Sequence, residues 1–323
     1  MISKACDVKG VIPQLMCVCG NCGGGLSVLP AIADFSFMVE GASLYVNSPD
    51  TICDNCTDTS SAKYQFEEAG TVDFVGSLDE IAASVRKIVS MIPEEYVDCT
   101  DDLNRAAEGL EDKISDAALV AAELADNREF VELKAGFAKN MVTGFIKLDG
   151  VTVGVIGNRE IDGDAYLSAC GCDKAADFVD LCDMYEIPIL SITNVEAYKA
   201  CACGERRLPR ALAQMTQRFV DAQVPKINLI TKAAFGTPYV LMNSKAMGAD
   251  LVYAFESSKV GAMDAAKAAK LMANDASEIA ALEAEYSAKQ SSAICAASHG
   301  HIDRIVSMAD TRKYIIAGFE MFF

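Results

Sequence analysis

Histidine is nearly absent: the 323 residues hold two, His299 and His301, in one Ser-His-Gly-His stretch near the C-terminus. A Ser/His/Asp triad or a histidine-built metal centre therefore has almost no material, and a solvent-exposed loop is the expected role for the pair. Long apolar runs are missing too. No segment reaches about 18 consecutive apolar residues, so no membrane-crossing helix is expected. Positive charge is scarce: 28 Lys and Arg stand against 46 Asp and Glu, leaving a net charge of −18. A field of that sign repels phosphate backbones and anionic lipid heads, so nucleic acid and membrane surfaces are poor partners. The start, Met1-Ile-Ser-Lys-Ala-Cys-Asp7, lacks the charged-then-apolar layout of an export signal, which points to the cytoplasm.

What is present is a chain 51% hydrophobic and 23% charged, able to bury a sizeable core. Its length suits one large domain or two ordinary ones. The 13 cysteines are an odd number and read as thiols of a reducing compartment. Cys17, Cys19, Cys22, Cys53 and Cys56 have a spacing that zinc or an iron–sulfur cluster could use. The apolar context favours a buried strand instead, with Cys17 and Cys19 as small apolar residues on one face, and a metal is the less favoured of the two readings. Cys170-x-Cys172 and Cys201-x-Cys203 have no better claim to one.

Apolar runs predict strands over residues 11–19, 44–46, 150–156, 187–192, 226–231 and 251–255. Ser77-Leu-Asp-Glu80 is a capping box opening a helix whose apolar face holds Leu78, Ile81, Val85, Ile88 and Val89. Helices are also predicted over residues 175–185 and 209–222, and through most of the tail from Asp264. The acidic stretch 94–116 reads as a linker, dividing the chain into 1–100 and 101–323. Strands alternating with helices predict an α/β fold.

One internal repeat is visible. Pro13-Gln-Leu-Met-Cys-Val-Cys19 aligns with Pro225-Lys-Ile-Asn-Leu-Ile-Thr231, and without a gap Gly24-Gly-Leu-Ser-Val-Leu29 falls on Gly236-Thr-Pro-Tyr-Val-Leu241. Each copy reads as strand, glycine turn, helix. Such a turn exposes amide hydrogens at a helix start, and two neighbouring ones can hold a developing oxyanion without a charged side chain. Gly24 and Gly25 suit that role, and a tight turn needed only for packing is the other reading. A dinucleotide site is disfavoured, because Gly20-x-x-Gly23-Gly24-Gly25 departs from Gly-x-Gly-x-x-Gly.

The stretch Gly20-Asn-Cys-Gly-Gly-Gly-Leu-Ser-Val-Leu-Pro-Ala-Ile-Ala-Asp-Phe-Ser-Phe-Met-Val39 resembles the carboxyltransferase subunits of biotin-dependent acyl-CoA carboxylases and decarboxylases. Collinear matches follow at Ala138-Lys-Asn-Met-Val-Thr-Gly-Phe145, Thr152-Val-Gly-Val-Ile-Gly-Asn158, Met242-Asn-Ser-Lys-Ala-Met-Gly-Ala-Asp250 and Thr311-Arg-Lys-Tyr-Ile-Ile316. The resemblance implies a crotonase-like fold of two lobes, acyl-CoA as substrate on the N-terminal side and biotin, borne by a carrier protein, on the C-terminal side. It implies a homo-oligomer, a dimer or a trimer of dimers. By position it assigns the thioester oxygen to Gly24 and Gly25, flanked by Gly23 and Leu26. It assigns the biotin ureido oxygen to Gly236 and Thr237, flanked by Pro238 and Tyr239.

The sequence also departs from that family. It begins within the family's N-terminal lobe, so a second polypeptide supplying the remaining half-lobe is an expected partner. The C-terminal turn is Gly-Gly-Ala in the family but Gly236-Thr237-Pro238 here. Proline has no N–H, so one expected donor is gone. The late Met-Gly-x-Glu-Gly-Ala motif reads Met263-Asp-Ala-Ala-Lys-Ala268. The expected function is carboxyl transfer between carboxybiotin and an acyl-CoA. The alternatives are a weak or inert homologue serving as a structural or regulatory subunit, and a crotonase-fold enzyme acting without biotin.

Overall fold

The computed structural model describes residues 1–53, 57–92, 99 and 101–322. The chain divides into two units, residues 1–93 with 131–139, and residues 94–130 with 140–323.

In the first unit α1 (Ile2–Val8) leads to β1 (Leu15–Val18), β2 (Asn21–Gly23), α2 (Val28–Ile32), β3 (Phe35–Val39) and β4 (Ser43–Tyr45). Then come α3 (Ala62–Glu67), β5 (Phe74–Gly76) and α4 (Leu78–Met91), with β6 (Val131–Leu133) from the later segment. Strands β1, β3 and β5 pair in parallel in that order, and β2 pairs with β4. Val18, Met38, Leu44, Ala62 and Val72 form the core.

Three expectations change here. The strand at 11–19 contracts to β1, and Val11, Ile12 and Cys17 are exposed. Side chains alternate along a strand, so Val18 takes the core face of an end strand and Cys17 the other. The capping box at α4 forms in full, Glu80 N–H donating to Ser77 Oγ while Ser77 N–H donates to the Glu80 carboxylate. Its buried stripe is narrower than expected: Ile81, Ile88 and Met91 are buried while Leu78 and Val89 are exposed.

The third change is the acidic stretch. Residues 94–98 and 100 lie outside the described residues, but from 101 onward this is structure belonging to the second unit. Ala107 and Leu110 are buried in that unit's core. Asp101, one of the stretch's acids, is paired inside that unit, while Asp102, Glu108, Glu111 and Asp112 are exposed. Asp101 accepts from Arg105 at 3.1 Å and from the Asn127 N–H at 3.0 Å. Glu123, in α5 (Ala117–Leu124), is 4% exposed and meets Lys113 at 2.7 Å, Arg128 at 3.1 Å and Arg105 at 3.3 Å.

Burial alone would raise the Glu123 carboxyl, but the bonds and charges of Lys113 and Arg128 overcome it and hold it below the ordinary glutamate value. A carboxyl lowered in the fold adds stability above its unfolded value, about 4.3, and that contribution is lost as pH falls through the folded value. The urea midpoint is therefore expected to be flat above about pH 5 and to drop as pH is taken below about 4. Glu123→Gln should show a shallower drop; an identical profile in the variant would remove Glu123 from the account.

The second unit continues with β7 (Met141–Leu148), β8 (Val151–Asn158), β9 (Tyr166–Leu167), α6 (Ala169–Met184), β10 (Ile189–Val195) and β11 (Ala197–Tyr198). Next are α7 (Ala202–Glu205), α8 (Leu208–Asp221), β12 (Lys226–Phe235), α9 (Gly236–Leu241), β13 (Leu251–Phe255) and β14 (Lys259–Gly261). It closes with α10 (Ala265–Met272), α11 (Ile279–Gln290), α12 (Ala293–Ser298), β15 (Arg304–Val306) and α13 (Thr311–Glu320). The sheet order is β15-β13-β12-β10-β8-β7, with β14 beside β12. Of the pairs among these strands, β7–β8 is antiparallel and the others are parallel. That hairpin turns at Asp149 and Gly150, both at positive φ, as a two-residue turn requires.

One buried cation ties the unit's ends together. Arg312, in α13, is fully buried. Its guanidinium donates to Leu124 O at 3.0 Å, to Asp102 O at 2.8 Å and to the Asp126 carboxylate. Asp126 also accepts from the hairpin amides of Asp149 and Gly150, at 3.2 and 2.8 Å. No helix among the described residues is long and apolar enough to cross a membrane.

Candidate functional site

The two halves of the sequence repeat become the same local structure. In the first unit β1 pairs with β3 and β2 with β4, and Gly23 stands opposite Tyr45 just before the turn. In the second, β12 pairs with β13 and then with β14, and Phe235 stands opposite Gly261 just before the turn. The next residue is Gly24 at φ +66° in one copy and Gly236 at φ +58° in the other. L side chains rarely adopt that backbone, so glycine is what lets the strand bend straight into a helical turn.

Around the first turn, a Cβ added to Gly24 or Gly25 would meet nothing within 4 Å, so the approach to that backbone is open. Gly23 differs: a Cβ there would lie 2.5 Å from the Tyr45 ring, so packing explains it. Ser27 Oγ donates to Gly24 O at 2.7 Å and fixes the turn. Leu26 is exposed beside it.

Around the second turn, the Thr237 hydroxyl accepts from Tyr198 OH at 3.0 Å, tying β11 to the start of α9. Pro238 and Tyr239 are buried. Burial pushes the Tyr239 phenol up to about 12, and its hydroxyl has no hydrogen-bond partner among the described residues. Gly236, Thr237 and Tyr239 line a cavity of about 670 Å³ with Gly261, Ala262, Cys295, His299 and His301. Both histidines are exposed, as expected, but they also stand at this cavity, which periodicity gave no sign of. They follow α12, whose last turn is closed by His299 Nδ1 at 2.8 Å from Cys295 O, and their rings stack at 6.5 Å.

Cys17 and Cys19 place their sulfurs 3.4 Å apart. Cys56 lies outside the described residues. Among the described residues no three His, Cys, Asp or Glu side chains are grouped to hold a metal.

Parallel strand pairs feeding a glycine turn and a helix, once in each unit, define a crotonase-like α/β fold. The chain belongs to the carboxyl transferase domain family, whose model matches residues 2–322. It is 29% identical to the methylmalonyl-CoA carboxyltransferase 12S subunit of Propionibacterium freudenreichii subsp. shermanii, over 98% of this chain and 66% of that protein. It is 30% identical to the propionyl-CoA carboxylase beta chain of Roseobacter denitrificans, over 96% of this chain and 66% of that one. A crystal structure of the transcarboxylase 12S hexamer, with hydrolysed methylmalonyl-coenzyme A bound, superposes with a TM-score of 0.92 at 29% identity. That match covers 98% of this chain and 67% of the other. The chain thus spans about two thirds of the length of these relatives.

Proposed function

We propose that this chain is a carboxyltransferase component moving a carboxyl group between carboxybiotin and the α-carbon of an acyl-CoA. The observation that carries the reading is the duplicated turn, with a positive-φ glycine at Gly24 and again at Gly236, each opening a helical segment. Each turn can aim amide hydrogens at an oxygen that gains negative charge. Gly24 and Gly25 would hold the thioester oxygen, with Gly23 and Leu26 beside them. Gly236 and Thr237 would face the ureido oxygen of biotin, with Pro238 and Tyr239 beside them.

Biotin, when bound, would supply a ureido nitrogen that takes up or gives up the carboxyl group. The second turn suits such a group: its cavity of about 670 Å³ is lined by Gly236, Gly261 and Ala262, with the cationic side chains of Lys245 and Lys289 also at it. The proposed partners are a biotin-bearing carrier protein and further copies of this chain. The test is co-purification from the native host, followed by malonyl-CoA and methylmalonyl-CoA decarboxylation assays on the complex. A biotinylated carrier and turnover are expected; a complex with neither overturns the reading.

A second reading, a weak or inert homologue with a structural or regulatory role, rests on Pro238. It is the third residue of α9, where an alanine would offer an amide hydrogen. Losing one oxyanion donor costs about 2.7–4 kcal/mol of barrier. Pro238→Ala is therefore expected to raise free-biotin-dependent activity, by up to about 10²-fold. A folded variant with unchanged activity would favour the structural role.

A further inference from the structure

The Cys201-Ala-Cys203 motif has no part in the proposed carboxyl transfer. Cys201 precedes α7 and Cys203 lies in its first turn. Their sulfurs are 3.5 Å apart and both are free thiols. Cys203 is exposed and Cys201 half-buried behind it. A disulfide needs about 2.05 Å between sulfurs, so closure asks for a shift of roughly 1.5 Å, within reach of side-chain rotation.

We propose that Cys201 and Cys203 form a thiol–disulfide exchange site for small disulfides, with Cys203 the attacking sulfur and Cys201 the resolving one. The Cys203 thiolate attacks one sulfur of the oxidant, forming a mixed disulfide and releasing one thiolate. Cys201, on losing its proton to solvent, attacks Cys203 Sγ and expels the second thiolate. The protein loses two hydrogens and two electrons, and one small disulfide becomes two thiols.

The surroundings suit that division of labour. Cys203 donates its S–H to Cys201 Sγ in the thiol form. Once Cys203 loses its proton the contact reverses, and the Cys201 S–H, then backbone N–H groups and the Lys199 charge, hold the Cys203 thiol below its ordinary value. The other close pair shows the contrast. Cys17 and Cys19 are 3.4 Å apart, yet partial desolvation of the Cys17 sulfur, whose residue is exposed, and then Cys19 push the Cys17 thiol up to about 11. Sulfur contact is the same in both places, and the sulfur held toward thiolate, the attacking form, is the exposed Cys203.

The sequence supplies a clean assay. Trypsin cuts after Lys199 and Arg206, giving a peptide whose only cysteines are Cys201 and Cys203. It also cuts after Lys4 and Lys9, giving one that holds only Cys6, an exposed lone thiol. The native chain is exposed to oxidised glutathione, quenched with iodoacetamide, digested and weighed. Residues 200–206 are expected to lose two hydrogens and escape alkylation about tenfold faster than Cys6 gains glutathione. Cys201→Ser should stop with glutathione on Cys203, and in Cys203→Ser the remaining thiol should react no faster than Cys6. The advantage should vanish when the wild-type chain is denatured in urea. Wild-type peptide 200–206 fully alkylated while Cys6 carries glutathione would overturn the proposal. So would Cys201 reacting at the wild-type rate in Cys203→Ser, or an advantage that survives denaturation.

Discussion

Gly25→Pro is expected to lower acyl-CoA turnover by about 10²–10³-fold, the cost of one deleted oxyanion donor. Proline removes the amide hydrogen that the proposed function places on the thioester oxygen. The control is Gly25→Ala, which keeps that hydrogen. Its added Cβ meets nothing within 4 Å, so no steric penalty is expected. The measurement is methylmalonyl-CoA decarboxylation by the assembled complex. The loss should fall on kcat, because the interaction strengthens as charge develops. Equal activity of the proline and alanine variants, both folded by circular dichroism, would take Gly25 out of the chemistry. Gly24 is a poorer probe. At φ +66° almost any replacement strains the turn, so lost activity there would not separate donor from backbone.

Arg312→Met should destabilise the chain by about 3–5 kcal/mol, the usual cost of removing one partner of a buried ion pair. The mechanism is specific. Asp126 is 7% exposed and would lose its guanidinium partner, and Leu124 O and Asp102 O would lose their donor. The volume of the side chain is largely kept by methionine, so the effect reports charge and hydrogen bonding more than packing. Thermal and urea unfolding both read it. A midpoint unchanged from wild type would mean that solvent reaches Asp126 and the pair is unimportant. The double variant Arg312→Met, Asp126→Asn should recover part of the loss, because it no longer buries an uncompensated carboxylate.

The parts legible in the sequence are those decided within a few residues. Ser77 and Glu80 specify a helix start by themselves, and the apolar run at 251–255 becomes β13 with those bounds. The repeat placed Gly24 and Gly236 at matching positions, and both occupy positive φ. The turns are therefore legible in the sequence itself. What stayed hidden depends on distant partners. The stretch 101–116 looked like a solvated acidic linker because its counter-charges come partly from elsewhere: Arg312 lies 3.6 Å from Asp101. Cys17 lies in the predicted strand, but which of its faces meets the core is set by the order β1-β3-β5, not by composition. His299 and His301 line the cavity beside Gly236 only because α12 and the start of α9 lie against the same space. No local pattern at 299–301 announces that.

The Arg312–Asp126 pair also bears on synthesis. The two residues are 186 positions apart. A ribosome adding about 5–20 residues per second needs roughly 10–40 s to travel that far. Throughout that interval the nascent Asp126 has no guanidinium to meet. The second unit therefore cannot reach its final electrostatic arrangement until long after its first hairpin has emerged, and the emerging polypeptide must stay hydrated or chaperoned in the meantime.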